Sequence, residues 1–553
     1  MYGKCGDILQ AENVLYMLPR RDVVSWSAIL SIYVEYGEGE KALISYMQMQ
    51  KEGVNPSPWT FLHVVQACAG YAKQEVSIVG GHSAILIAFE IARALHVDAL
   101  RMGFLSDPFF SSALMSVYGK CGAIMESEQV FSMLSEPDIV SWNAMLSAYV
   151  EQGQAEKALL LYTEMHRQGS DPNHITFMTA LHACSIFAGK EVTSVNGISS
   201  KIISLEIGRA LHEDINKGGY AKDTSIANTL TSMYGKCGSI PDAENVFSEV
   251  QCYDTISCNS MLSAYVESGQ EGKAILLYRK MKEDDIVIDD VTHLCVLQAC
   301  SESGGLEICM ELHFNIVICG HDGINSVVST LITAYGSCAR MIDAHETFHN
   351  VSEPDVVLCN SYISGYTGEG NAIASVHAFE SMEFMDIYPD VVTFISILSV
   401  FSHAGLVIEG LKFLKSMKGD YDIGLERTHY KIMIDLLGRA GDFKRIENMF
   451  SHIPMQDDPA IWLCLLGTSS TRGNFDLAKQ AFRHVMRLKP REARAYVLMS
   501  NIFGAAGLQK DAEKIEAMKL KYAPCKEQGE CVRLDTKGNI LLPFPKQRYM
   551  VYK

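Results

Sequence analysis

Several features that would narrow the function at once are missing from this sequence. Its 553 residues contain no run of eighteen or more apolar residues, which excludes a membrane-spanning helix and leaves no reason to expect a membrane partner. Its 16 cysteines include no Cys-x-x-Cys pair, so they read as singly spread, buried, reduced thiols rather than a disulfide framework or a zinc site. Positive charge is scarce as well. The 47 Lys and Arg against 65 Asp and Glu leave a formal net charge of -18, which argues against a protein that coats nucleic acid indiscriminately, because cations that neutralise phosphates supply most non-specific affinity. A local binding groove stays compatible with that balance. The stretch from Met1 to Ile8 carries neither the basic and apolar pattern of a signal peptide nor the Arg/Ser-rich amphipathic pattern of a transit peptide.

What is present is repetition. Tyr2–Gly6, Tyr118–Gly122 and Tyr234–Gly238 all spell Tyr-Gly-Lys-Cys-Gly, and Tyr335-Gly336-Ser337-Cys338-Ala339 is a decayed fourth copy. The steps between the tyrosines are 116, 116 and 101 residues. A second series, Trp26-Ser27, Trp142-Asn143, Cys258-Asn259 and Cys359-Asn360, keeps the same phase, so one block has been duplicated.

Within a block the apolar period is helical. Met261, Leu262 and Tyr265 form one stripe, Gly269 interrupts it, and Ala274, Leu277, Tyr278 and Met281 form another at i, i+3, i+4, i+7. Each unit is therefore two antiparallel helices that bury their stripes only against neighbouring units. The best block divides into Thr224–Asp254, Thr255–Asp289 and Asp290–Ile324; upstream, units begin at Pro108, Ile139 and His174, and the cycle restarts at Asn325. Two long units carry 15 extra residues, since Cys68 to His96 and Cys184 to His212 span 28 positions where Cys300 to His313 spans 13. The inserts, Glu75 to Phe89 and Glu191 to Leu205, are expected to form surface loops, which solenoids tolerate.

These hairpins, with Ser141 to Tyr149 reading Ser-Trp-Asn-Ala-Met-Leu-Ser-Ala-Tyr and Met233 to Gly238 reading Met-Tyr-Gly-Lys-Cys-Gly, resemble the PLS-type pentatricopeptide repeat proteins of land plants. Ile434-Asp435-Leu436-Leu437-Gly438-Arg439-Ala440-Gly441 is similar to the family's last short repeat, and Ala460-Ile461-Trp462 with Ala495 to Phe503 is similar to its degenerate E region. A tetratricopeptide array is excluded by the uneven period. The resemblance implies an all-α fold, a right-handed superhelical solenoid of roughly ten or eleven helix-turn-helix units. It also implies three segments: a repeat array over 1–458 with a truncated first repeat, an E region over 459–525, and a C-terminal tail over 526–553.

In such proteins each unit reads one base of single-stranded RNA through its fifth and last residues. An Asn amide offers donor and acceptor to a pyrimidine edge, and a small hydroxyl with an Asp suits a purine. Carried over by position, Ser112 with Asp138 implies G and Asn143 with Asn173 a pyrimidine. Asn228 with Asp254 and Asn259 with Asp289 imply U, Ser329 with Asp355 implies G, and Asn360 with Asp390 implies U. Ser27 with Ser57 departs from the usual combinations and carries no base assignment. The long units hold Leu62, Met178, Leu294 and Ile395 at the fifth position, where an aliphatic chain cannot make that hydrogen bond, so they act as spacers. The competing reading of the Asn, Ser and Asp residues is helix capping.

Relatives of this kind are specificity factors for organellar cytidine-to-uridine editing, and some continue into a zinc deaminase. That domain needs His-x-Glu and Cys-x-x-Cys. None of the 17 histidines is followed two residues later by Glu, and Cys525 and Cys531 stand six apart, so the chain carries no catalytic or metal site and no cofactor, and is not expected to be an enzyme. His212-Glu213 and His345-Glu346 lack a third ligand at metal spacing, and Tyr-Gly-Lys-Cys-Gly lacks the spacing of a phosphate loop. The implied function is that of a monomer that binds organellar RNA and recruits a separate deaminase-bearing protein through its E region. The alternative is a scaffold for RNA stability, splicing or processing that does not edit, or one that binds protein. A mitochondrial or chloroplast location follows from the resemblance. Tyr118 and Tyr234 are the eleventh residues of their units, so Met1 falls nine residues into a unit, and the chain is expected to be a fragment or a truncated reading of its gene, with its targeting segment upstream.

Overall fold

The computed structural model describes residues 5–72, 78–79, 82–189, 200–250, 253–450, 458–472 and 474–522. Among them are 29 α-helices, one 3-10 turn at Phe104–Ser106 and a two-residue antiparallel ladder in which Ile78 pairs with Ser83 and Val79 with His82. The architecture is an all-α solenoid of helical hairpins. First helices begin at Pro108, Ile139, His174, Thr224, Thr255, Asp290 and Asn325, the residues at which the sequence division starts its units. The start signal is local: Asp107, Asp138, Asp223, Asp254, Asp289, Asp355 and Asp390 each accept an N–H from the first turn of the helix that follows.

Two compact units divide the chain, one up to Ser268 and one from Gly269. In the first, the first helices of successive hairpins lie side by side: Val23–Glu35, Pro58–Ala72, Pro108–Lys120, Ile139–Glu151, His174–Gly189, Thr224–Cys237 and Thr255–Glu267. The same order holds in the second, from Asp290–Ser303 through Asn325–Ser337, Val356–Glu369, Val391–Ala404 and Arg427–Ala440 to Pro459–Arg472. The core runs along this row. Trp26 and Trp142 are buried in the first unit, and Phe394 and Phe401 in the second, and each such side chain contributes about 1.5–3 kcal/mol of transfer free energy.

The pentapeptide has four structural jobs. Its tyrosine bonds the preceding long unit: Tyr118, Tyr234 and Tyr335 hydroxyls lie 3.0, 3.0 and 2.8 Å from Nδ1 of His96, His212 and His313. The next glycine lets two first helices touch, since a Cβ on Gly235 would stand 2.5 Å from Ala264 Cβ. Cys237 is buried, while Cys121 and Cys338 are half-buried, so only one of these three thiols is full core. The last glycine ends the helix in the left-handed region, with φ of 81° at Gly238.

The expected insert loops need correction. Residues 75–77, 80–81 and 191–199 lie outside the described residues, but Ala84 to Phe89 and Ser200 to Leu205 are helical. They lengthen the second helices to Ala84–Met102 and Ser200–Lys217, of 19 and 18 residues, against 13 in Leu306–Ile318. The reason is apolar spacing. Ala88 extends the buried stripe of Ala92, Leu95 and Ala99, and Ile203 that of Ile207, Leu211 and Ile215.

Downstream, Pro459–Arg472 pairs with Phe475–Leu488, and Ala493–Ala505 with Gln509–Tyr522. A continuous apolar cluster joins Tyr430, Ile434 and Leu437 to Ile461, Leu466, Tyr496 and Ile515, so the two last hairpins share the core of the repeat before them. Residues 523–553, with Cys525 at the end of the E region and the whole tail with Cys531, lie outside the described residues.

Candidate nucleic-acid interface

Because successive first helices pack directly on one another within each array, equivalent residues of successive units recur along the row. The fifth residue of a unit sits one turn into its first helix. The last residue precedes the first helix of the next unit, so side chains about 30 positions apart in sequence are brought together.

Among the pairs that lie within one compact unit, contact is direct in two. Asn143 Nδ2 donates to Asn173 Oδ1 at 3.1 Å, and Asn360 Nδ2 donates to Asp390 Oδ1 at 3.1 Å. Asn143 and Asn360 are both buried. In the first unit of the chain the link is indirect: Ser27 and Ser57 hydroxyls each lie 2.9 Å from Thr60 Oγ1. Ser112 also reaches its partner through a third residue. Its Oγ donates to Pro108 O at 2.6 Å and lies 3.3 Å from Ser141 Oγ, which donates to Asp138 Oδ1 at 2.8 Å.

Two further pairs within one compact unit are looser. Asn228 is half-buried with no bond to Asp254, which accepts from Ser257 N–H and Oγ–H at 2.7 Å each. The Ser257 bonds hold the Asp254 carboxyl below the ordinary carboxylate range against the opposing effect of burial. Ser329 Oγ is buried without a partner, and the Asp355 carboxylate accepts the Leu358 N–H at 2.8 Å. Asn259 is buried in the first compact unit, whereas Asp289 belongs to the second and accepts from Thr292 N–H at 2.8 Å.

Capping is therefore real at every one of these last residues, Asn173 included, which accepts from Thr176 N–H at 3.0 Å. It does not exhaust them, since a carboxylate oxygen pair offers about four acceptor positions. Burial pushes the Asp390 carboxyl up, but bonds from Thr393 and Asn360 outweigh it and leave the pKa lowered, so the group is ionised at neutral pH. At the fifth position of the long units, Leu62, Met178, Leu294 and Ile395 are half-buried and offer no amide or hydroxyl.

Sequence periodicity missed two sets of residues. One is the hydroxyl three positions after the last residue, present in every pair but Ser329–Asp355: Thr60, Thr176, Thr292 and Thr393, with Ser141 and Ser257. Its signal was the reciprocal Asp-x-x-Ser/Thr pattern of a capping box. The other is the second residue of the first helices, where Val24, Trp59, Phe109, Val140, Ile175, Ile256, Val291, Val357 and Val392 are exposed. Isolated exposed aliphatics need no explanation, but recurrence at one register position beside the polar pairs does. At the first of these sites Val24, 70% exposed, and Trp59, 66% exposed, flank a shallow groove of about 460 Å³ that also contains Ser27 and Ser57.

Among the described residues no cluster of three His, Cys, Asp or Glu side chains could hold a metal ion, and no helix is long and apolar enough to cross a membrane.

Comparison with known proteins agrees with this geometry. The PPR repeat family model matches residues 137–185 and 253–302, the pentatricopeptide repeat domain model matches 348–404, and the PPR repeat model matches 24–54, 225–254, 392–421 and 428–455. A chloroplastic pentatricopeptide repeat-containing protein of Arabidopsis thaliana is 29% identical over 98% of this chain and 63% of its own length. A mitochondrial one from the same plant is 29% identical over 95% of this chain and 57% of its own length. The chain thus spans less than two thirds of these relatives. The crystal structure of the pentatricopeptide repeat protein PPR10 from maize superposes with a TM-score of 0.53 at 18% identity, covering 94% of this chain and 83% of that one, which shows a shared fold.

Proposed function

We propose that this chain, a member of the pentatricopeptide repeat family, binds one short stretch of single-stranded RNA and reads one base per polar unit. The observation that carries the reading is the pair of bonds Asn143–Asn173 and Asn360–Asp390, each holding an amide at a fixed place beside exposed apolar residues at 140, 175, 357 and 392. Base planes rest against those aliphatic or aromatic side chains, and base edges meet the amides and hydroxyls.

The site residues are Ser112, Asp138, Asn143, Asn173, Asn228, Asp254, Asn259, Asp289, Ser329, Asp355, Asn360 and Asp390, with Ser27 and Ser57 at a site of weaker definition. From Ser112 onward the footprint reads, 5′ to 3′, G, pyrimidine, any base, U, U, any base, G, U. The array extends over 1–458. Residues 459–553, the E region with its tail, recruit a separate deaminase in trans, so the chain directs cytidine-to-uridine editing without performing it. The labels of its relatives support a chloroplast or mitochondrial setting.

Purified chain should bind an RNA bearing this footprint at least about tenfold more tightly than a shuffled RNA, given about 1–3 kcal/mol for each well-made polar base contact. Equal binding of the two RNAs refutes the reading. In plants lacking the gene, one edited cytidine just 3′ of the footprint should stay unedited; altered transcript length or abundance with all edits intact favours the processing role instead.

A further inference from the structure

We infer that the hydroxyl three residues after a unit's last residue, Thr176 or Thr393, is a positioning residue that decides which atom of the fifth-residue amide is left for the base. This rests on the reading of that amide as a base contact. Thr176 and Thr393 are both fully buried, so neither acts on RNA by itself.

The two units use the same three positions and resolve them differently. At Thr393 the Asp390 N–H donates to Oγ1 at 3.0 Å, and the hydroxyl donates to Asp390 Oδ1 at 2.9 Å. Asn360 gives one amide hydrogen to the same carboxylate, and its Oδ1 is left with no partner. At Thr176 the Asn173 N–H again donates to Oγ1, at 3.1 Å. The hydroxyl, however, lies 2.7 Å from Asn143 Oδ1 and 3.0 Å from Asn173 Oδ1. It has one proton, and the nearer acceptor takes it.

The charge of the last residue explains the difference. An ionised Asp draws the hydroxyl proton to itself because a charge-assisted bond is about twice as strong as a neutral one. A neutral Asn leaves the proton to the amide oxygen of its neighbour. Reversing the Asn143 amide would set its oxygen against Asn173 Oδ1, which Thr176 N–H holds in place at 3.0 Å. So Asn143 has its oxygen occupied and one N–H to spare, whereas Asn360 has a buried oxygen without a partner, which a base donor that entered between the two helices would satisfy. The first arrangement suits a base with an acceptor at the middle of its Watson–Crick edge, such as cytosine. The second suits one with a donor there, such as uracil.

A third unit shows what happens without the hydroxyl. Leu358 occupies the equivalent position, and the Ser329 Oγ of the unit before it is buried without a partner. Ser27 and Ser57 show the opposite case, in which Thr60 holds both hydroxyls at 2.9 Å.

The test uses the full chain and RNAs that carry the footprint, with uridine or cytidine opposite Asn143. Thr176→Val keeps the shape and removes the donor, which opens Asn143 Oδ1; the uridine-to-cytidine affinity ratio should rise about fivefold at that nucleotide, the worth of one neutral hydrogen bond. Thr176→Ser should keep the wild-type ratio, and nucleotides opposite other units should be read as before. A ratio that moves less than about twofold in Thr176→Val, moves equally in Thr176→Ser, or falls together with affinity for every RNA overturns the inference. Wild-type chain that binds footprint and shuffled RNA alike overturns the base-reading proposal itself, an outcome distinct from an unresponsive variant of a selective protein.

Discussion

Residues 174–238 and 290–339 run through the same order of parts, a long unit followed by the first helix that carries the pentapeptide. Both keep the half-buried bond between the second helix of the long unit and the pentapeptide tyrosine, His212 to Tyr234 and His313 to Tyr335. Both bury the cysteine of the long unit, Cys184 and Cys300. Elsewhere they diverge. The second helix shortens from 18 to 13 residues, and Arg209, Glu213 and Lys217 on its outer face give way to exposed Met310, Phe314 and Ile318. Buried Phe177 corresponds to buried His293, which lies 3.1 Å from His321 through Nδ1 on each ring. The left-handed Gly238 corresponds to Ala339, whose φ is 54°. The comparison separates positions where a contact between helices dictates the residue from positions where volume, turn geometry or solubility accepts a substitute at a cost.

That cost can be measured, beginning with the tightest contact. Gly235→Val should destabilise its region by about 3 kcal/mol, the upper end for overpacking, because even a Cβ would stand 2.8 Å from Ala264 Cα. Gly336→Val should cost less, since Gly365 opposite it has no side chain and its Cα lies 2.9 Å from the added Cβ. Hydrogen exchange of the helices Thr224–Cys237 and Asn325–Ser337 compares the two, and equal losses would mean that the opposing side chain is not the cause.

Acid should then distinguish the long units. Burial, reinforced by His321, lowers the His293 pKa to about 4, from an unfolded value near 6.5. The unfolded chain takes up the proton first, so stability of the 290–324 hairpin is full above pH 6.5 and falls as pH drops from about 6.5 toward about 4. At pH 5 the loss from this group should be roughly 2 kcal/mol, the product of the pH interval and 1.36 kcal/mol per unit. His293→Phe, which installs the residue found at 177, should flatten that dependence in hydrogen exchange followed from pH 7 to pH 5. A profile unchanged by the substitution would place the acid sensitivity elsewhere.

The smallest effect is at the turn. Ala339→Gly should raise stability by about 1 kcal/mol, and Gly238→Ala should lower it by a similar amount, because a Cβ is strained at positive φ. Thermal melting of both variants checks the sign, and shifts in the same direction would contradict the turn argument.

Much of this was legible in the residues themselves. Asp138, Asp254 and Asp289 mark helix starts because capping is a contact between near neighbours in sequence, and the i, i+4, i+7 stripes of Ala274, Tyr278 and Met281 mark buried faces. The inserts were misread because each lies between the two helices of one unit, where a loop is the simplest expectation; the later halves carry Ala88 and Ile203 in phase with a stripe that begins beyond them. The exposure of Val140 and Ile175 was invisible to the same reasoning, since an apolar residue off the buried stripe looks like an exception until most units repeat it.

By itself, then, the sequence determined the helices outside the two inserts, their caps, the unit boundaries and the fifth and last positions, because each depends on spacings within one hairpin or on a repeat in register. Only the tertiary structure decided that Asn143 touches Asn173 while Asn228 does not touch Asp254, and that Thr176 and Thr393 direct their protons to different acceptors. Those outcomes depend on ångström distances between helices of adjacent units, and a hydrogen bond changes partner over a few tenths of an ångström that no pattern of residues along the chain encodes.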